Sequence, residues 1–417
     1  MGMSRFTHRT FATTLATVST VALLSTAAVF PADAAPAFDR GVSYDQFMNS
    51  EILLGSFFTS DGDHSDTLYI STDGTNFEEI GVPYQDAFPA DPGNDVSTLG
   101  PNHHTLGDPS IVYHGGAFWM ISGWNRFDGK LWPMIGVSQD GRHWSYPEGL
   151  RFGWGYDGIP TFPQPSFGAD TVTPEWIQDR NGNLYIMFSI GYYGEWHGEP
   201  TNDRMEPYLI KVNQLSFNGW EGDGRLPNIT FKAGPANRIN LPQIPSANRI
   251  DGSAFQDDDG MFYMTIKRDG AHNEIWRSWN MGTDGWELVN ADAVTGSEGP
   301  SMTKLNGKYY LYTDKLHSWG PDPSRGNLVS VADSPYGPWT NLGKINTYGK
   351  ENRHGTVIRV TDPTAKSKLY SLYTGRGGAN PLVDGINAAM MRLKVLLHLP
   401  KVPTLACSGL QCRVNWV

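Results

Sequence analysis

The sequence predicts an all-β fold, a five-bladed β-propeller, on three observations. Short apolar runs separated by tight turns recur along the chain, an acidic residue or a histidine precedes each unit, and helical periodicity is nowhere sustained. The units start at Asp108, Glu175, Asp251, Glu298 and His354. Their turns are His114-Gly115-Gly116, Asn181-Gly182, Asp258-Asp259-Gly260, Asn306-Gly307 and a glycine-free loop around Lys366. Asn-Gly and Asp-Gly between apolar runs signal hairpins, because two-residue turns of that type need positive φ. Each turn leads into an aromatic strand: AFWMISG, NLYIMFS, MFYMTIK, KYYLYTD and KLYSLYT. A second echo, VSQDGRHW, NMGTDGWEL and VADSPYGPW, with ISTDGTNF near the start, reads as the turn into an outer strand.

The units are unevenly spaced, with long inserts at 150–170 and 191–206, which argues for a propeller with loops over a solenoid. Residues 51–80 are expected to supply strands that close the ring against the last blade. The segment DGINAAMMRLKVLLHL (384–399), nearest to a helical period, reads as a last strand. A two-sheet sandwich is the alternative, but it leaves the recurring acid unexplained. In a propeller the starts of the innermost strands converge at one end of the central channel. Asp108, Asp251 and Glu298 are therefore expected to face one another.

Residues 1–34 read as a secretory signal: Arg5 and Arg9, a low-charge stretch, then Ala32-Asp33-Ala34 as a cleavage site. The propeller is expected over 35–400 and a tail over 401–417, with no membrane association once the signal is removed. The formal charge of −11 becomes about −12 without the signal, which makes nucleic acid an unsuitable partner. The two cysteines, Cys407 and Cys412, lie close together in the tail, and in an exported chain they are expected to form a small disulfide. Aromatics at 12% with 47 Gly and 28 Pro suit an all-β protein that handles sugars. A secreted monomer is expected.

The motifs LGDPSIV, RIDGSAFQDDDG, SEGPSMTKLNGKYYL and RHGTVIRV resemble the blade starts of glycoside hydrolase family 43, the arabinanase, arabinofuranosidase and xylosidase family, over roughly residues 50–395. Two features depart from that pattern: Gly252 stands where a Pro is usual, and Val172-Thr173-Pro174-Glu175 lacks a Trp common in that blade. The resemblance implies a hydrolase of O-glycosidic bonds that inverts the anomeric centre. It makes Asp108 the base that activates water, Glu298 the acid that protonates the leaving oxygen, and Asp251 the residue that orients the acid and raises its pKa. The chemistry agrees, since glycoside hydrolysis needs one carboxyl protonated and one ionised.

The same resemblance places His354 on the axis near the base, where a Ca²⁺ or similar cation is expected to bind; no cofactor is otherwise required. It makes Arg376 a substrate contact. Glu175, in the equivalent place in blade two, is expected to touch sugar hydroxyls, and Trp124 and Trp176 to stack on sugar faces. The trio Asp257-Asp258-Asp259 reads as a solvated hairpin tip. Two other functions fit the pattern less well: a glycan-binding propeller without catalysis, and a retaining fructan-active enzyme, whose Asn-Asp-Pro-Asn-Gly, Arg-Asp-Pro and Glu-Cys motifs are absent.

Overall fold

The computed structural model describes residues 41–58, 66–81, 83, 106–125, 131–144, 170–191, 205–220, 227–244, 247–315, 326–350, 352–374, 403–408 and 411–416. The expected signal segment and residues 384–399 lie outside them.

Three early strands, β1 (Ile52–Phe58), β2 (Asp66–Ser71) and β3 (Glu78–Gly81), belong to a sheet whose innermost member arrives last. Blade one follows as β4 (Leu106–His114), β5 (Ala117–Asn125) and β6 (Leu131–Ser138). Blade two is β7 (Asp170–Gln178), β8 (Leu184–Gly191), β9 (Glu206–Trp220) and β10 (Pro227–Ala233), with the short β11 (Asn237–Arg238) also on β9. Blade three is β12 (Arg249–Gln256), β13 (Phe262–Arg268), β14 (His272–Ser278) and β15 (Glu287–Thr295). Blade four is β16 (Ser297–Leu305), β17 (Lys308–Lys315), β18 (Asn327–Ala332) and β19 (Thr340–Lys344). Then β20 (Arg353–Val360) pairs antiparallel with β1 and completes the fifth blade. Strands β4, β7, β12, β16 and β20 touch in that cyclic order around the axis, so the fold is a five-bladed β-propeller.

The core is divided among the five junctions between blades. Trp119 and Ile121 of blade one meet Trp176 and Ile186 of blade two, and Met187 of blade two meets Met264 and Trp276 of blade three. Tyr263 and Ile275 meet Met302 and Leu311, and Tyr312 and Val329 meet Leu53, Phe57 and Tyr69. Leu54 and Ile70 meet Ile111 and Met120 to close the circle. These side chains are almost wholly buried, and truncating any of the tryptophans would cost about 3–5 kcal/mol.

The hairpin turns have the expected geometry: Asn306 and Gly307 take φ of 49° and 77°, the double positive φ that Asn-Gly provides. The second echo also holds. Ser71 and Ser138, each ending the third strand of its blade, accept from the Gly74 and Gly141 amides, and Asp73 and Asp140 cap the bends that follow. The reading of KLYSLYT as a strand is wrong, because Pro363–Thr374 is a helix, α2. The edge that such a strand would have used on β20 is occupied by β1. Asp362 accepts from the amides of Thr364 and Ala365, Pro363 suits a first helical turn, and Ala365, Leu369 and Tyr373 bury one face at four-residue spacing. Phe47 of α1 (Tyr44–Asn49) stacks on Tyr373, so two short helices cover the fifth junction. In the tail, β21 (Pro403–Ser408) and β22 (Gln411–Trp416) form a hairpin whose register sets Cys407 opposite Cys412; their side chains lie outside the described residues.

Candidate functional site

Every innermost strand breaks its ladder at the same point. The register jumps from Gly107 to Ser110, Val172 to Glu175, Ile250 to Ser253 and Glu298 to Ser301, and between β1 and β20 it skips His354. The first bulged residues are Asp108, Thr173, Asp251 and Gly299, at φ of 53°, 50°, 58° and 58°. Positive φ is costly for Asp and more so for β-branched Thr, on the order of 1–3 kcal/mol each. In return the bulge turns that side chain toward the channel mouth.

This register corrects the alignment read from the sequence. Thr173, not Glu175, is the blade-two counterpart of Asp108, and Glu298 stands one residue before the counterpart in blade four. Glu175 falls instead in the next ring, with Ser110, Ser253, Ser301 and Thr356.

Asp108, Asp251, Glu298 and His354 come together at one end of the channel. His354 Nδ1 lies 2.8 Å from Asp108 Oδ1. The imidazole lies against the Cα of Gly299, where an added Cβ would sit 2.5 Å from Cδ2; only glycine fits, both for that contact and for its φ. Asp251 Oδ2 accepts from the Gly299 amide at 3.1 Å, and the Asp251 amide donates to Thr173 Oγ1 at 3.0 Å. Asp251 therefore reaches the backbone beside Glu298. Each Glu298 oxygen meets a cation: Oε2 is 2.7 Å from Lys267 Nζ, and Oε1 is 3.4 Å from Arg353 Nη2. Arg353 is held in turn by buried Asp314, at 2.6 Å.

These neighbours spread the titrations. Burial pushes Asp108 up, but the charge and hydrogen bond of His354, with Arg353 and Lys267, outweigh it and hold the carboxyl below its usual range. Burial pulls His354 down, yet Asp108 first, then Asp251 and Glu298, raise it to about 10. Asp251 is pushed up to about 6, chiefly by burial and against the pull of His354 and Lys267. Burial likewise lifts Glu175 to about 7, against hydrogen bonds from Thr356, Ser253 and Ser110. The end thus holds an ionised carboxylate beside carboxyls that keep protons toward neutrality.

His354 Nδ1 is engaged by Asp108 Oδ1 at 2.8 Å, and among the described residues no three His, Cys, Asp or Glu side chains form a metal-binding group.

The expected sugar contacts fare differently. Trp176 is 2% exposed and packed in the junction of blades one and two, so it is core; its place on a strand buried on both faces gives the reason. Trp124 stands opposite Leu106 on the ladder at the site end, but its side chain, like the whole of Arg376, lies outside the described residues. Both oxygens of Glu175 are taken by hydroxyls of the chain itself. Sequence reasoning missed Lys267, Arg353 and Asp314. Arg353 immediately precedes the histidine already singled out, and Asp314 is the ladder partner of Glu298, a pairing that the Asn306-Gly307 turn makes countable.

No family model and no curated protein matches this chain. Solved structures do. One is an exo-β-1,3-galactanase of Phanerochaete chrysosporium with β-1,3-galactotriose: 18% identity over 56% of this chain and 48% of that one, TM-score 0.39. Another is an exo-β-1,3-galactanase of Clostridium thermocellum: 16% identity over 58% and 49%, TM-score 0.41. A third is an α-L-arabinofuranosidase of Podospora anserina with cellotriose: 13% identity over 62% and 74%, TM-score 0.38. All three are glycoside hydrolases by their names. Family 43, which the sequence motifs resemble, is named among further matches. The match spans about half the length of the two galactanases. At such low scores, what this chain can do is read from its own side chains.

Proposed function

We propose that this protein is an exported glycoside hydrolase that cleaves O-glycosidic bonds of arabinose-, xylose- or related furanoside-containing saccharides with inversion. The observation that carries the reading is the convergence of Asp108, Asp251 and Glu298 around one charged histidine at the channel mouth. Asp108, kept ionised by His354, takes a proton from the attacking water as its oxygen bonds to the anomeric carbon. Glu298 gives a proton to the departing oxygen as the glycosidic bond breaks, and regains one from solvent. Asp251 fixes the peptide that carries Glu298. To act as the acid, Glu298 has to exchange its contacts with Lys267 and Arg353 for the leaving oxygen.

The ion pairs that occupy both oxygens of Glu298 favour a second reading, a glycan-binding propeller without turnover. Aryl arabinofuranosides, xylosides and galactosides, with the matching oligosaccharides, distinguish the two: sustained release of sugar supports the hydrolase, and binding without release supports the alternative. Proton NMR of the first product should show the inverted anomer. A retained anomer would mean that Asp108 attacks the sugar, and the base assignment would fail.

A further inference from the structure

We propose that Glu175 is a positioning residue, whose carboxyl ties together from beneath the site the three strands that carry Asp108, Asp251 and His354. Oε1 accepts from Ser253 Oγ at 2.9 Å, Oε2 from Thr356 Oγ1 at 2.5 Å, and the Ser110 hydroxyl donates as well. The donors come from β12, β20 and β4, three blades other than the one that carries Glu175. Each donor lies two residues past a site residue: Ser110 after Asp108, Ser253 after Asp251, and Thr356 after His354. Ser110 and Ser253 are the residues at which the ladder resumes after its bulge. Fixing them fixes the downstream leg of each bulge, and with it the direction of the aspartate above.

Glu175 is 7% exposed and takes the place that serine or threonine fills in the other blades. Four blades could not meet at one hydroxyl, which has two acceptor sites, whereas a carboxylate offers about four. Glu175, Ser253 and Thr356 line both the small cleft that holds Asp108, Asp251 and His354 and the larger cavity running down the channel, so they form the floor of the site. A rotatable hydroxyl serves a carboxylate as a donor and a carboxylic acid as an acceptor, so the tie persists whichever form Glu175 takes.

The kinetic consequence rests on the hydrolase reading, whereas the geometric one does not, and the experiment separates them. Glu175→Ala and Glu175→Gln are compared with the unaltered protein by steady-state kinetics and crystallography. Removing the tie should lower kcat roughly 10- to 100-fold with KM within about twofold, the mark of misplaced reacting groups. Gln, which can still accept from one hydroxyl and donate to another, should restore most of the rate. In Glu175→Ala crystals the Asp108–His354 pair, 2.8 Å in the native chain, should open beyond hydrogen-bond reach, and in Glu175→Gln crystals it should remain. A raised KM with unchanged kcat in both variants would put Glu175 on the sugar and overturn the proposal, as would an intact pair in Glu175→Ala. If the native protein turns over no glycoside, the hydrolase reading falls while the crystallographic comparison still decides positioning. Should Glu175→Ala not fold, Ser253→Ala and Thr356→Val each remove one tie. A fall in kcat at constant KM in these supports the proposal, and unchanged kcat in both rejects it.

Discussion

At one end of β12 stands Asp251 and just past the other stands Asp257, and the two carboxylates meet cations in opposite ways. Asp257 is 3% exposed, with Lys304 Nζ at 2.8 Å and the Tyr309 hydroxyl on its other oxygen. Burial pushes it up, but those two bonds hold it below its usual range. Beside it Asp258, half exposed, is lowered to about 2, chiefly by its bond from Arg359. The trio that reads as a solvated tip is therefore partly a buried clamp, because Lys304 of blade four reaches over to it. At the other end Asp251 meets only an amide at its described carboxyl contact, and it is pushed up to about 6. Carboxylates and cations crowd both ends. What distinguishes the candidate site is that burial exceeds pairing there for some carboxyls and not for others, and such a spread suits acid and base work.

The largest effect should come from the pair that tests this distinction most directly. Asp108→Asn should lower hydrolysis by roughly 10²- to 10⁴-fold, whereas Asp258→Asn at the far end should leave kcat within about twofold; equal losses would erase the difference between the ends. Next, Lys304→Met leaves the Asp257 carboxylate buried without its cation, held only by the Tyr309 hydroxyl and the Asp258 amide, and should cost about 3 kcal/mol in urea denaturation, with kcat per folded molecule unchanged.

A smaller, pH-dependent effect concerns His354. The acidic limb of kcat/KM should lie below the ordinary Asp value of about 3.9, because Asp108 must be ionised and is held low. His354→Asn removes the main opposing influence and leaves only Arg353 and Lys267 against burial, so the limb moves up; an unmoved limb would remove Asp108 as the base. The same pair contributes to stability in a definite window. Raised in the folded state, His354 stabilises fully below about 6.5 and loses that contribution as pH climbs through about 10. Asp108, lowered, contributes above about 3.9 and loses its share as pH falls further. Smallest of all, Arg359→Gln breaks a partly exposed pair with Asp258 and should cost only about 0.5 kcal/mol.

Much of the ring was legible because its hairpins are local. Asn306-Gly307 and His114-Gly115-Gly116 announce their turns through residues that tolerate positive φ, and the aromatic strands after them are buried almost throughout. The closing role of residues 51–80 followed from strands left over before the first unit. KLYSLYT misled because an alternating aromatic pattern and a helix face at positions 365, 369 and 373 overlap in so short a segment; the choice was made by β1 occupying the edge of β20, a contact from the far end of the sequence. At the site, Asp108, Asp251 and Glu298 could be named from their place before each run. Their bulge register could not, since positive φ at Thr173 leaves no mark in residue type, and that is why Glu175 was assigned to the wrong ring. Lys267 joins Glu298 across two blades, a proximity that no spacing within one hairpin encodes.

The seam between β1 and β20 has a consequence for how the protein comes into being. Leu54 pairs with Ile358 and Phe58 with Arg353, so the last ladder joins residues about three hundred positions apart. Such long-range pairing is slow, because the entropy of closing the loop is lost before the contacts reward it. The residue that charges Asp108 is carried on that final strand, so a nascent chain shorter than about 360 residues can stack four blades and still have no working mouth. Chemistry would switch on only with closure, which makes the emergence of activity during refolding a direct clock for the seam.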